Sequence, residues 1–321
     1  TARTALWRLI ETADMFVHNI RPQKIAELGF SPDAVLQSNP SIIYGGLHGY
    51  GEDGPYGGRP AYDDVIQGQS GIAGLFGERD GLPQLVPSII ADKNSALIAS
   101  GGLVAAYVKR LRTGKGTYLE CPMFEGMASF NLVEHQYGET FKPKEGKAGY
   151  VRALSPLRRP HKTKDGYLCL LAYTDRQWRS FWKLAGMPDY VEDSRFVTML
   201  ERSRNIDTLY KIVSEVISTG STTEWLALFE QAEIPSGPVN SLADLRRDPH
   251  LNAVGFFRSF EHPTEGTLEI PDTPYRFDRR SLPVRCAQPR LGEHGREVLT
   301  EVGMSNEEID AVLRDSERNL P

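Results

Sequence analysis

The sequence predicts an α/β fold: a large domain on a Rossmann-like parallel sheet, a smaller α+β domain, and C-terminal helices. Three observations carry this. Helical and buried-strand patterns alternate through the first third of the chain, as crossover units of a parallel sheet do. A polar, turn-rich segment, Lys142 to Lys147, then interrupts the pattern. The 321 residues are also about twice the ~150 typical of one domain.

Leu6, Leu9 and Ile10 recur at helical spacing, and Met15-Phe16-Val17-His18 reads as a short buried strand. Pro22 suits a helix start, Gly29 a stop, and Ser31-Pro32-Asp33 opens the next helix. Ser41 to Tyr44 is the second strand, and the glycine-rich stretch Gly45 to Pro60 is a loop leaving its end, where open α/β sheets bind ligands. Ala61 to Phe76 reads as one helix weakened by glycines, and Leu85 to Ala91 as extended chain. A long buried helix then runs from Asp92 to Arg112 and stops at Gly114. Thr117 to Cys121 is a strand and Pro122 to Tyr137 a helix. Beyond the linker come a strand at 167–172, helices near 175–186, 206–218 and 222–232, extended segments at 234–239, 255–260 and 266–270, and two closing helices. The expected organisation is a large domain over 1–141, a linker at 142–149, a small domain over 150–280 and a helical segment over 281–321.

Composition narrows the function classes. Lys and Arg number 37 against 42 Asp and Glu, a net charge of −5, which gives no basic surface for nucleic acid or an anionic membrane. No apolar run approaches the ~20 residues of a membrane span, and residues 1–15 do not resemble a signal peptide. Cys121, Cys169 and Cys286 form neither a disulfide framework nor a zinc knuckle, so a cytoplasmic, reducing compartment is expected. The seven histidines show no metal-ligand spacing, and no metal is expected.

Gly49-x-Gly51-x-x-Gly54 has the letters of a dinucleotide fingerprint, but Pro55, Gly57, Gly58 and Pro60 stand where the phosphate-binding helix should begin. It reads better as a plain glycine loop. Thr113-Gly114-Lys115-Gly116-Thr117 reads as a helix C-cap turn rather than a phosphate loop, and Gly68-Gln69-Ser70-Gly71 lacks the last glycine of a nucleophile elbow. Asp92 stands at a predicted helix start. On the residues alone it is either an N-cap, the commoner role, or a carboxylate nucleophile with backbone donors nearby for an oxyanion. Tyr62-Asp63-Asp64 reads first as an acidic opening turn.

The segments A-D-M-F-V-H-N-I-R-P (13–22), L-G-F (28–30), N-P-S-I-I-Y (39–44), G-Y-G-E-D-G-P-Y (49–56), A-Y-D-D-V-I-Q (61–67), A-D (91–92) and R-T-G-K-G (112–116) occur in an order and spacing that resemble the class III CoA-transferase family. K-D-G (164–166), I-P-S-G-P-V-N (234–240), D-P-H (248–250) and L-G-E-H (291–294) extend the match. The family includes formyl-CoA transferase and alpha-methylacyl-CoA racemase. The resemblance implies coenzyme A and acyl-CoA as ligands, a carboxylic acid as partner substrate, an interlocked homodimer, and Asp92 as the nucleophile that passes through an acyl anhydride and an aspartyl-CoA thioester. It implies CoA contacts from Asn19, Ile20, Arg21, Tyr62 and Asp63, to which charge adds Lys24 and Arg59 as phosphate partners. It also implies strand–helix units upstream of Thr1, and a glycine-rich loop where this chain has Ser155 to Lys162. Arg152, Arg158 and Arg159 point to a dicarboxylate. Two other functions fit the same residues. One is an acyl-CoA racemase, with Tyr62 where that branch has a histidine and Asp175 near its second carboxylate. The other is a non-catalytic CoA-binding chain.

Overall fold

The computed structural model describes residues 2–318, with side chains through residue 314. Two compact units divide it: Thr1–Pro156 with Glu297–Pro321, and Leu157–Arg296.

In unit 1, helix α1 (Ala2–Thr12) feeds strand β1 (Met15–His18), and α2 (Pro22–Glu27) and α3 (Pro32–Ser38) lead into β2 (Ile43–His48). Then follow α4 (Asp63–Gln69), α5 (Ile72–Asp80), α6 (Ile90–Thr113), β3 (Thr117–Pro122), α7 (Met123–His135) and the short α8 (Val151–Leu154). The three strands form a parallel sheet in the order β1-β2-β3, with Met15 beside Ile43 and Ile43 beside Thr117. Because side chains alternate across a sheet, Tyr44 and Tyr118 face a core with Ile10, Ile25, Phe30 and Val35. Gly45 and Leu119 face α6: a Cβ on Gly45 would lie 3.1 Å from Leu103, and one on Gly102 would lie 3.1 Å from Leu119.

Two local features differ from expectation. The second strand does not stop at Tyr44 but continues through Gly45 and Gly46 to His48. The glycines there serve close packing, since a Cβ on Gly46 would sit 2.5 Å from His48 Nε2. The single helix expected over 61–76 is two, because Gly71 takes φ +91° between α4 and α5. Gly114, at φ +69°, ends α6 as the sequence suggests.

The segment at 142–149 folds back on α7. Glu145 N–H donates to the Gly138 carbonyl (3.1 Å), and Gly149 N–H to that of His135 (2.7 Å). Tyr150 N–H donates to His135 Nδ1 at 3.2 Å.

Unit 2 carries an antiparallel sheet of β4 (His161–Lys162), β5 (Tyr167–Leu170) and β6 (Ser236–Pro238). Helices α9 (Asp175–Leu184), α10 (Met199–Arg204), α11 (Ile206–Ile217) and α12 (Thr222–Gln231) supply its core. Trp178, Phe181, Trp182, Phe196, Leu209 and Phe229 are buried together there. Capping boxes at Thr174/Gln177 and Ser221/Glu224 set the starts of α9 and α12. Short helices α13 (Leu242–Leu245) and α14 (Pro249–Ala253) precede a hairpin of β7 (Phe257–His262) and β8 (Gly266–Pro271).

Helix α15 (Gly295–Glu301) straddles the division, and α16 (Asn306–Arg318) follows in unit 1. Leu299, Met304 and Ile309 bury against Ala5 of α1. Arg8 donates to the Gly303 carbonyl and pairs with Glu308 at 3.4 Å.

Candidate active site

The loop between β2 and α4 is fixed by anions of the protein itself. Gly51 N–H donates to Glu125 Oε1 (2.9 Å) and Glu52 N–H to Glu120 Oε1 (2.7 Å), while Phe124 N–H donates to the Gly49 carbonyl. Carboxylates therefore occupy two donors that a bound phosphate would need, in keeping with the plain glycine-loop reading of 49–54. On the same sheet face, His18 Nε2 lies 2.7 Å from the Tyr44 hydroxyl, whose own proton goes to the Phe30 carbonyl at 2.8 Å. Burial pushes the His18 pKa down to about 4, and His48 nearby adds to this. Burial likewise lowers His48, opposed by Glu52 and Glu120. Its Nδ1 is buried without a hydrogen-bond partner, and Glu52 also accepts from the Tyr118 hydroxyl.

Asp92 lies in the first turn of α6 with its side chain exposed. Ile89, at the cap position, offers no capping side chain. The cap comes from α4, where the buried Asp63 accepts on Oδ1 from Ala91 N–H (2.7 Å) and Asp92 N–H (3.0 Å). Its Oδ2 accepts from Gln67 Nε2 at 2.6 Å. Gln67 also takes Val86 N–H on Oε1 (2.8 Å) and donates to the Ser88 carbonyl (3.1 Å), so it staples the extended segment to α4. Burial raises the Asp92 pKa, and the Asp63 charge raises it further.

The donors expected for an oxyanion at the start of α6 are taken. Ala91 and Asp92 N–H go to Asp63, Ile90 N–H to the Ser88 carbonyl, and Lys93 N–H to that of Ile89. Asp92 is thus neither its own helix's cap nor flanked by unpaired α6 donors. The unpaired donors are at α4: the N–H groups of Asp63, Asp64 and Val65 have no acceptor among the described residues, and Tyr62 supplies no side-chain cap.

Asn19, Ile20 and Arg21 form an exposed turn at the end of β1, tied by Ile20 N–H to His18 Nδ1 at 3.1 Å. Lys24 pairs with Glu27 at 2.8 Å, and the Arg59 guanidinium lies 4.7 Å above the Tyr56 ring. Gln23 donates to the Gly58 carbonyl (2.8 Å), bringing the segments of Lys24 and Arg59 together. Tyr62 is 81% exposed, whereas the Asp63 carboxylate is turned inward onto α6. Asp63 and Asp92 are the two expected residues that the fold joins across a long stretch of sequence. Sequence reasoning missed Gln67, Glu120 and Glu125; only Gln67 had a signal, four residues after Asp63 on one helix face. Asp175, in unit 2, is held by the buried Arg202.

Among the described residues no cluster of His, Cys, Asp and Glu suits a metal ion, and no helix is long and apolar enough to cross a membrane. Two solved structures share the fold: a CaiB/BaiF family protein from Brucella suis (28% identity, TM-score 0.74, 94% of this chain and 78% of that one) and Rv3272 from Mycobacterium tuberculosis (25%, 0.78, 91% and 79%). Succinyl-CoA:glutarate CoA-transferase of Mus musculus is 32% identical over 296 residues, 92% of this chain and 67% of that protein. Formyl-CoA:oxalate CoA-transferase of Escherichia coli is 27% identical over 330 residues, 96% and 79%. Residues 1–295 match CoA-transferase family III, and the chain belongs to that family.

Proposed function

We propose that the chain moves CoA between an acyl-CoA and a carboxylic acid with Asp92 as the nucleophile. A carboxylate oxygen of Asp92 attacks the thioester carbonyl carbon; the C–S bond breaks, leaving an acyl-aspartyl anhydride and CoA thiolate. The thiolate attacks the Asp92 carbonyl of the anhydride, releasing the first acid as its carboxylate and forming an aspartyl-CoA thioester. The incoming carboxylate displaces the thiolate to give a second anhydride. Attack of the thiolate on its substrate carbonyl yields the new acyl-CoA and restores Asp92. The observation that carries this reading is an exposed Asp92 whose backbone is fixed by a second carboxylate that also raises its basicity.

In this reading Asn19, Ile20, Arg21, Lys24, Arg59 and Tyr62 contact CoA, and Asp63 contributes its backbone N–H rather than its carboxylate. The Rossmann-like character rests on the three-stranded parallel sheet with helices on both faces. The acid is a dicarboxylate, on the relatives named for succinate, glutarate and oxalate. A homodimer is favoured by the apolar side chains that α6 and α7 leave exposed, among them Leu97, Val104, Leu111, Phe130 and Val133. The three free cysteines favour a reducing cytoplasm.

Asp92→Asn should fold with an unchanged melting temperature and lose transfer. Mass spectrometry of the wild type mixed with succinyl-CoA and glutarate should find a covalent adduct on the Asp92 peptide. Turnover by purified Asp92→Asn at the wild-type rate would overturn the assignment.

A further inference from the structure

We infer that Asp63, held in place by Gln67, is a positioning residue for Asp92: its carboxylate sets the backbone from which the nucleophile projects and keeps a negative charge beside it. The inference rests on the transferase reading above.

A helix start leaves N–H groups that a local Ser, Thr, Asn or Asp ordinarily caps. Here Ile89 cannot, and the cap is reached across the fold, from a residue 29 positions before Asp92. An Asn oxygen could accept the same two N–H groups, but only a carboxylate also accepts from Gln67 and places a negative charge beside Asp92. Both Asp63 oxygens are engaged by donors, Ala91 and Asp92 N–H on one and Gln67 on the other, so the buried carboxylate is fixed in place. Among the described residues Asp63 is the charge that acts on Asp92. The Lys93 ammonium is turned to Ser88 Oγ at 2.9 Å, and on α7 Glu125 is bound to Gly51 N–H. Gln67 links the parts: it holds Asp63, and through Val86 and Ser88 it holds the extended segment that delivers α6. Removing Gln67 should release position and field together.

The test uses the full chain with succinyl-CoA and glutarate. Asp63→Asn keeps one oxygen to accept the two N–H groups but turns an amide NH2 toward the Gln67 donor, so it should fold with a lowered melting temperature. Its kcat should fall on the order of 10–100-fold, the cost of a slightly misplaced nucleophile, with KM for succinyl-CoA within about twofold. The acid limb of its kcat–pH profile should move to lower pH, because Asp92 loses a neighbouring anion. Asp63→Glu should return that limb toward wild type while kcat stays reduced. Gln67→Met, which keeps the Asp63 side chain but removes what holds it, should slow adduct formation on the Asp92 peptide in a single turnover, and it carries the test if Asp63→Asn does not fold. A wild-type acid limb and kcat in Asp63→Asn, or a loss confined to KM, would overturn the inference and make Asp63 a CoA contact. Absence of any Asp92 adduct in the wild type would instead sink the transferase reading itself.

Discussion

Acidification should destabilise unit 1 through His18. Nε2–H of the neutral ring donates to the Tyr44 oxygen, and Nδ1 accepts Ile20 N–H. An added proton has to enter at Nδ1 and displace the Ile20 hydrogen bond. Burial first, and the neighbouring His48 second, bring the folded pKa from 6.5 to about 4. Since the unfolded chain takes up the proton first, the stability His18 contributes is complete above the unfolded value of about 6.5 and drains away as pH falls toward 4. The full difference corresponds to about 3 kcal/mol; the ring is partly exposed, and solvent screening reduces this to about 2 kcal/mol. For a unit of this size that is a drop of roughly 4–8 °C in Tm. Thermal melts at pH 7.5 and pH 4.5 measure it. Wild type and His18→Gln share every other titrating group, so the extra loss in wild type isolates the ring. Equal losses in the two proteins would refute the reasoning. Because the displaced bond belongs to the Asn19–Arg21 turn, CoA affinity should follow the same pH window in wild type and less so in the variant.

Two further outcomes are expected. Gly116→Ala should destabilise by about 3 kcal/mol or more, since its Cβ would sit 2.0 Å from the Ile42 carbonyl oxygen, whereas Gly114→Ala, strained only by φ +69°, should lose about 1 kcal/mol; denaturant melts giving the reverse order would contradict this packing. Leu97→Glu combined with Val133→Glu should turn a dimer into monomer by sedimentation velocity while leaving the far-UV spectrum unchanged, and an unaltered dimer would move the interface elsewhere.

Periodicity made the large elements legible. The strand at Met15–His18, the long α6 with its Gly114 stop, and the amphipathic α11 all stand near their expected positions, although the strand is only half-buried and α6 leaves Leu97, Val104 and Leu111 exposed where a buried helix is expected. What escaped depended on contacts made at a distance. Gly45 and Gly46 read as loop because nothing local says that Leu103 and the His48 ring will lie against them. Gly71 was one of several glycines in the stretch, and which of them would take positive φ is decided by how α4 and α5 pack. At the site, Asp92 was visible because it opens a recognisable helix. The work of Asp63 was hidden, since an acidic residue in a first turn ordinarily serves its own helix, and here it serves another. Gln67 carried one faint mark, its place four residues after Asp63, but its stapling of the extended segment shows only once that segment is in place.

The way unit 1 is assembled from both sides of unit 2 sets an order on folding. All of Leu157–Arg296 is continuous chain, and the aromatic core from Leu168 to Ile234 closes without residues from outside it. Unit 1 is finished only when α15 and α16 return to α1, where Ala5, Leu299, Met304 and Ile309 meet across the greatest separation in the sequence. Contacts of that span form late, after the loop between them has been shortened by structure elsewhere. The seam between α1 and the last two helices is therefore the final one to close. It is also the first place at which amide exchange would report opening, well before the sheet that carries the Asp92 helix gives way.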